Sequence, residues 1–193
     1  MVAPAVGVLA LQGGVREHVD MLASLGAAVT AVRAPKDLAG IGGVVIPGGE
    51  SSTIDRLLRI FGLFDPLREA LARGLPVLGT CAGLITLASE IVDPAPGQGS
   101  LGVIDMTVRR NSFGRQIASD VEKLATSYGE VSAAFIRAPE VLDARGAARV
   151  IARRGEAIVG VETDTAIAVS FHPELTGDTT IHERFLEAVS ARG

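Results

Sequence analysis

The chain has 193 residues, 48% of them apolar and 21% charged, which suits one globular domain with a sizeable core and excludes a disordered chain. A net charge of −4 and just two lysines, Lys36 and Lys123, leave no basic footprint for nucleic acid. A lone cysteine excludes an intrachain disulfide and a multi-cysteine metal site, and it fits a reducing cytoplasm.

Residues 5–11 form an apolar run fit for a strand buried on both faces. No basic segment precedes it, so it reads as a first strand and not as a signal peptide. Val15, Val19, Leu22 and Leu25 make a helical stripe that Gly26 ends. Ala28–Val32 and Gly43–Ile46 read as the next strands, the latter stopped by Pro47-Gly48-Gly49. Ser51, Ser52 and Thr53 offer N-cap hydroxyls for a helix whose apolar face is Ile54, Leu57, Leu58 and Phe61. A further helix at about 64–73 ends at Gly74, and a strand at 76–79 leads into Cys81. Residues 82–92 read as a helix. This strand-helix alternation predicts an α/β fold, a parallel sheet covered by helices on both faces.

The rhythm changes after Val92. A loop at 93–99 precedes shorter runs at 101–108, 133–136, 148–152 and 157–161, which predict antiparallel strands appended to the core. Residues 118–131 fit either a helical turn or a strand. A final strand at 166–171 and a helix at 180–191 close the chain, which reads as a single domain over residues 1–193. No apolar run is long enough to span a bilayer.

Cys81 sits in Gly79-Thr80-Cys81-Ala82-Gly83, between a strand and a helix N-terminus. Gly-x-Cys-x-Gly is the thiol form of the nucleophile elbow, and a helix N-terminus favours a thiolate. By itself, a buried cysteine is more often a small inert hydrophobe. A thiol nucleophile needs a base and a group to orient that base. His18 and His182 lie on predicted helices among charged neighbours and are expected to be solvent-exposed. His172 follows the last strand, at the carboxyl end where α/β sheets place their sites. Pro173 keeps His172 extended, so Glu174, two residues on, can sit beside it and fix its tautomer. Gly48 and Gly49 let backbone N–H groups approach a substrate, so Gly49, with Ala82 after the nucleophile, is a candidate oxyanion donor. The same turn lacks the lysine of a phosphate loop, and Glu50 would repel phosphate.

Gly79-Thr80-Cys81-Ala82-Gly83 with His172-Pro173-Glu174 resembles the class I, triad-type glutamine amidotransferases. Leu11-Gln12-Gly13, Pro47-Gly48-Gly49-Glu50-Ser51, Arg110-Asn111-Ser112-Phe113-Gly114-Arg115-Gln116, Phe135-Ile136-Arg137-Ala138-Pro139 and Ser170-Phe171-His172-Pro173-Glu174-Leu175 are similar to the glutaminase subunits of pyridoxal phosphate synthase. The resemblance implies a three-layer, mostly parallel, flavodoxin-like sheet with appended antiparallel strands. It implies Cys81 as nucleophile, with His172 and Glu174 completing a triad. It also implies glutamine contacts from Gly48, Gly49, Glu50, Arg110, Ile136 and Arg137. Free glutamine carries an ammonium that Glu50 can pair and a carboxylate that an arginine can pair. No metal or organic cofactor is implied. The implied partner is a (β/α)₈ synthase barrel that receives the ammonia. Three other readings fit the residues: a glutaminase serving another synthase, a non-catalytic regulatory subunit on the same fold, and a cysteine peptidase or redox sensor.

Overall fold

The computed structural model describes residues 3–112 and 120–192. Phe113, Gly114, Arg115 and Gln116 of the family-like block, and positions 117–119, lie outside the described residues.

Five parallel strands form the core: β1 (Ala5–Leu9), β2 (Ala28–Val32), β3 (Gly43–Ile46), β4 (Val77–Thr80) and β12 (Ala166–Val169). They run in the order β2-β1-β3-β4-β12. Alternate residues leave each strand on opposite faces and enter two separate cores. Val44, Ile46, Val77 and Ala168 meet α2 (Ser51–Ile60), α3 (Phe64–Ala72) and α4 (Ala82–Leu87) through Ile54, Leu58, Leu67 and Leu84. Val6, Val45, Leu78 and Val169 meet α1 (Val15–Ser24) and α5 (Thr180–Ser190) through Leu22, Ile181, Phe185 and Val189. These are the expected three layers.

Beyond β12 the sheet continues antiparallel. β11 (Ala157–Glu162) pairs β12, and β10 (Arg149–Arg154) pairs β11. The ambiguous segment is a hairpin in its described part: β7 (Asp120–Thr126) pairs β8 (Gly129–Phe135), and β7 joins β10. A strand at β9 (Glu140–Ala144), absent from the sequence reading, links β11 to β6 (Ile104–Arg109).

The helix expected over 82–92 stops at Leu87, and Ala88–Val92 is a strand, β5, parallel to β6. Tertiary pairing overrides local propensity here. The amides of Leu101 and Val103 bond the carbonyls of Thr86 and Leu87 at 2.8 and 2.9 Å, which satisfies the helix end from outside. The N-cap of α2 is Glu50, not a serine or threonine, and its carboxylate accepts from the Thr53 amide at 2.7 Å.

Candidate active site

Three adjacent strands deliver the candidate residues. Ile46 of β3 pairs Gly79 of β4, and Thr80 of β4 pairs Val169 of β12. The segments that follow them, Pro47-Gly48-Gly49, Cys81 and Ser170-Phe171-His172, therefore leave the same edge side by side. All ten residues singled out from the sequence line one cleft of about 420 Å³: Gly48, Gly49, Glu50, Cys81, Ala82, Arg110, Ile136, Arg137, His172 and Glu174. Gln12, Gly13, Gly14, Glu17, Ser51, Ile85, Asn111 and Leu175 complete the lining.

Cys81 has φ 48° and ψ −101°, a backbone state that a side chain adopts at a cost. Neighbouring glycines make the turn fit. A Cβ on Gly83 would stand 2.1 Å from the Ile46 carbonyl oxygen. Asn111 and Arg137, also in the cleft, share the positive φ, at 51° and 45°. Strain held at three cleft residues is a mark of a functional site. Cys81 is 7% exposed, and its Sγ lies 3.9 Å from the Ile136 carbonyl oxygen. Ala82 opens α4, where an N–H has no intrahelical acceptor and is free for a ligand.

His172 is fixed by its backbone, whose N–H bonds the Ala134 carbonyl at 2.9 Å. Its Nδ1 lies 2.7 Å from Glu174 Oε1. Glu174 is the middle residue of a short 3₁₀ turn, Pro173–Leu175, and its side chain is 1% exposed. Burial works against charge on His172, but the hydrogen bonds and negative charges of Cys81 and Glu174 outweigh it and push its pKa up to about 10. Burial alone would raise the Glu174 carboxyl. The hydrogen bond and charge of His172 hold it below the usual carboxylate range instead.

Gly48 lies against both partners. A Cβ there would stand 2.3 Å from His172 Cε1 and 3.3 Å from Cys81 Cβ. Its N–H bonds Thr80 Oγ1 at 3.1 Å, and its carbonyl accepts from the Gly14 N–H at 3.0 Å. The Glu50 N–H bonds Gln12 Oε1 at 2.8 Å. Gln12 thus holds the turn, a role its place after the first strand could have suggested.

The two ends expected to grip glutamine grip each other in this chain. Arg110 Nη2 lies 2.7 Å from Glu50 Oε1, and Arg110 Nη1 donates to Gln98 Oε1 at 2.8 Å. The second Glu50 oxygen accepts from the Ser52 hydroxyl and from Thr53. Burial pushes the Glu50 carboxyl up, yet these hydrogen bonds keep it below its ordinary range. Arg137 is exposed at the rim.

His18 and His182 are not exposed, contrary to expectation. Both are completely buried, and His18 Nε2 lies 3.5 Å from Glu174 Oε1. His18 sits on the apolar stripe of α1 with Val15 and Leu22, and His182 stands one turn before Phe185 and Leu186 on α5. That spacing was readable; the charged immediate neighbours pointed the other way.

The description of the SNO glutamine amidotransferase family matches residues 8–191. The protein called pyridoxal 5'-phosphate synthase subunit PdxT in Streptomyces griseus is 51% identical over 191 residues, 97% of each chain. Its namesake in Clavibacter michiganensis is 52% identical over 194 residues, 98% of this chain and 93% of that one. A crystal structure described as a glutamine amidotransferase superposes with a TM-score of 0.90 at 44% identity, covering 96% of this chain and 98% of that one. PurLQS from Thermotoga maritima superposes with a TM-score of 0.66 at 17% identity over 99% of both chains, a likeness of fold alone.

Proposed function

The chain belongs to the SNO glutamine amidotransferase family, and we propose that its cleft hydrolyses L-glutamine to L-glutamate and ammonia through a Cys81 thioester. It is the glutaminase subunit of a pyridoxal 5'-phosphate synthase. The ammonia passes directly to the barrel subunit of that synthase, and the unit acting is the whole of residues 1–193. The requirement for a free thiol suits the reducing cytoplasm. Among the described residues no helix is long and apolar enough to cross a membrane.

The reaction runs as follows. The Cys81 thiolate attacks the side-chain amide carbon of glutamine, and the oxyanion that forms meets the N–H groups of Gly49 and Ala82. The His172 imidazolium gives its proton to the departing nitrogen. The C–N bond breaks, ammonia leaves and a thioester remains. Neutral His172 then takes a proton from water while the oxygen attacks the thioester carbon. The C–S bond breaks, glutamate leaves, and the thiolate and imidazolium are restored. Glu174 keeps the Nδ1 proton in place and offsets the imidazolium charge.

Substrate enters by exchange. The ammonium of glutamine takes the Glu50 carboxylate, and its carboxylate takes Arg110, so the existing ion pair is traded for two new ones without a net change of charge. Gly48 and Ile136 close the cleft around the side chain, and Arg137 faces the rim.

The observation that carries this reading is the 2.7 Å contact between His172 and Glu174 on a strand end beside the strained Cys81 turn. The test is glutamate release from glutamine by the chain alone and with the barrel subunit. Release that depends on Cys81 is expected. Equal release by Cys81→Ala would end the proposal.

A further inference from the structure

Two histidines that take no part in the chemistry lie in one hydrogen-bonded row behind Glu174. His18 Nδ1 is 2.9 Å from His182 Nε2. His18 Nε2 is 3.0 Å from Thr80 Oγ1 and 3.5 Å from Glu174 Oε1. Thr80 Oγ1 also accepts the Gly48 N–H at 3.1 Å. His18, Thr80 and His182 are completely buried. One imidazole thus touches both halves of the site: the carboxylate that orients His172, and the hydroxyl that holds the Gly48 turn.

We assign the tautomers from the partners. His182 Nδ1 has no partner among the described residues. A bare lone pair is tolerated there better than a buried N–H with no acceptor. His182 therefore carries its proton on Nε2 and donates to His18 Nδ1. That leaves the His18 proton on Nε2, aimed at Thr80 Oγ1 and Glu174 Oε1. The opposite arrangement would turn a lone pair toward the Glu174 carboxylate. Both rings stay neutral: burial lowers His18 against the pull of Glu174 and Glu17 and with the push of His172, and burial with the neighbouring His18 drives His182 down to about 3.

We propose that His18 is a positioning residue for glutamine hydrolysis, whose Nε2–H fixes Glu174 and, through Thr80 Oγ1, the Gly48 turn in one shared geometry. His182 sets the tautomer of His18. The inference rests on the glutaminase reading and deepens it.

Two substitutions separate the ends of the ring. The side-chain nitrogen of glutamine stands where His18 Nε2 does, and the side-chain oxygen of asparagine can stand where His18 Nδ1 does and accept from His182. His18→Gln keeps the donor toward Thr80 and Glu174; His18→Asn keeps just the contact to His182. In the chain with its barrel subunit, His18→Asn should lower kcat by about 10–100-fold with KM for glutamine little changed. His18→Gln should stay within about threefold of the parent. Thr80→Val and Thr80→Ser form an independent pair, since serine keeps the hydroxyl and valine keeps the shape; loss with valine and retention with serine is expected. That pair decides the matter if either His18 variant fails to fold. Equal activity of His18→Asn and His18→Gln, a loss confined to KM, or full activity of Thr80→Val overturns the proposal. An inactive parent chain overturns the glutaminase reading instead, so the two failures are told apart.

Discussion

The Cys81 N–H donates to the Val169 carbonyl at 2.8 Å. The parallel ladder between β4 and β12 thus runs one residue past β4, into the turn that carries the thiol. The strained φ of Cys81 is held by this bond on one side and by the Leu84 and Ile85 amides on its own carbonyl, at 3.1 and 3.4 Å, on the other. Cys81 and the strand that leads to His172 are one hydrogen-bonded unit, so their separation is set by sheet geometry and not by a flexible loop.

Cys81→Ala should abolish glutamine hydrolysis and leave the fold intact, because this is the one thiol in the chain. A glutamine-analogue electrophile should label Cys81 and no other residue, read by mass spectrometry of the intact chain. Turnover at the parent rate by the alanine variant would refute the nucleophile assignment.

His172→Asn should cost about as much as losing Cys81, because members of a catalytic unit act together. Glu174→Gln should cost less, since its oxygen can still accept from Nδ1 while the charge is lost. Initial rates of glutamate release rank the two variants. A harmless His172→Asn would show that the base lies elsewhere.

The pH dependence of stability follows from opposite shifts on two histidines. His172 is pushed up from an ordinary 6.5 to about 10 in the fold. Its contribution to stability is therefore complete below pH 6.5 and is lost as pH rises through about 10. His182 is pushed down from 6.5 to about 3. The fold must keep it neutral, so stability also declines as pH falls from 6.5 toward 3. Chemical denaturation across this range should give a maximum between the two limbs. Cys81→Ala, which removes the negative partner, should lower the His172 pKa seen by NMR titration; an unchanged titration would mean that the thiolate is not what raises it.

Arg110→Ala should raise KM for glutamine more than it lowers kcat, if its contact serves substrate and transition state alike. The variant also frees Glu50 from its 2.7 Å partner. Glu50 remains the N-cap of α2 through Thr53, so the helix should keep its start. Arg137→Ala should do less, because that side chain stands at the rim. Saturation curves identical to the parent for Arg110→Ala would remove it from the substrate site.

The meeting of Cys81, His172 and Glu174 in one cleft was legible because its signals are local. Glycines flank Cys81, and a proline sets the spacing of His172 and Glu174. The same logic gave the parallel core, whose strands are short unbroken apolar runs. What escaped depends on distant packing. His18 and His182 meet across 164 positions in the chain because α1 and α5 cover the same sheet face. The helix expected over 82–92 lost its second half because β6 offers a pairing partner at Ile91 and Val92. The Glu50–Arg110 pair joins residues 60 positions apart, and each was read toward a ligand and not toward the other.

Docking of the barrel subunit should raise the glutaminase rate of an otherwise slow chain. The expected switch is the Gly48–Gly49 peptide, whose N–H is one of the two donors proposed for the oxyanion. Its carbonyl is held by the Gly14 N–H at 3.0 Å, while the Gly48 N–H stays on Thr80 and the Glu50 N–H on Gln12. The peptide can therefore turn about fixed neighbours by giving up one hydrogen bond, a net cost of about 0.5–1.5 kcal/mol. Glycine at both positions keeps the steric cost low. That is small beside the effect on rate, since one oxyanion donor is worth roughly 10²–10³ in kcat. A partner contact of modest strength is enough to move the equilibrium. The measurement is kcat for the chain alone and in the complex, together with hydrogen exchange at Gly14, whose amide loses its acceptor if the peptide turns. A large gain in kcat with faster exchange at Gly14 is the expected result. Full activity of the lone chain, with no gain from the barrel, would show that the donor is already in place and that the partner controls something other than this peptide.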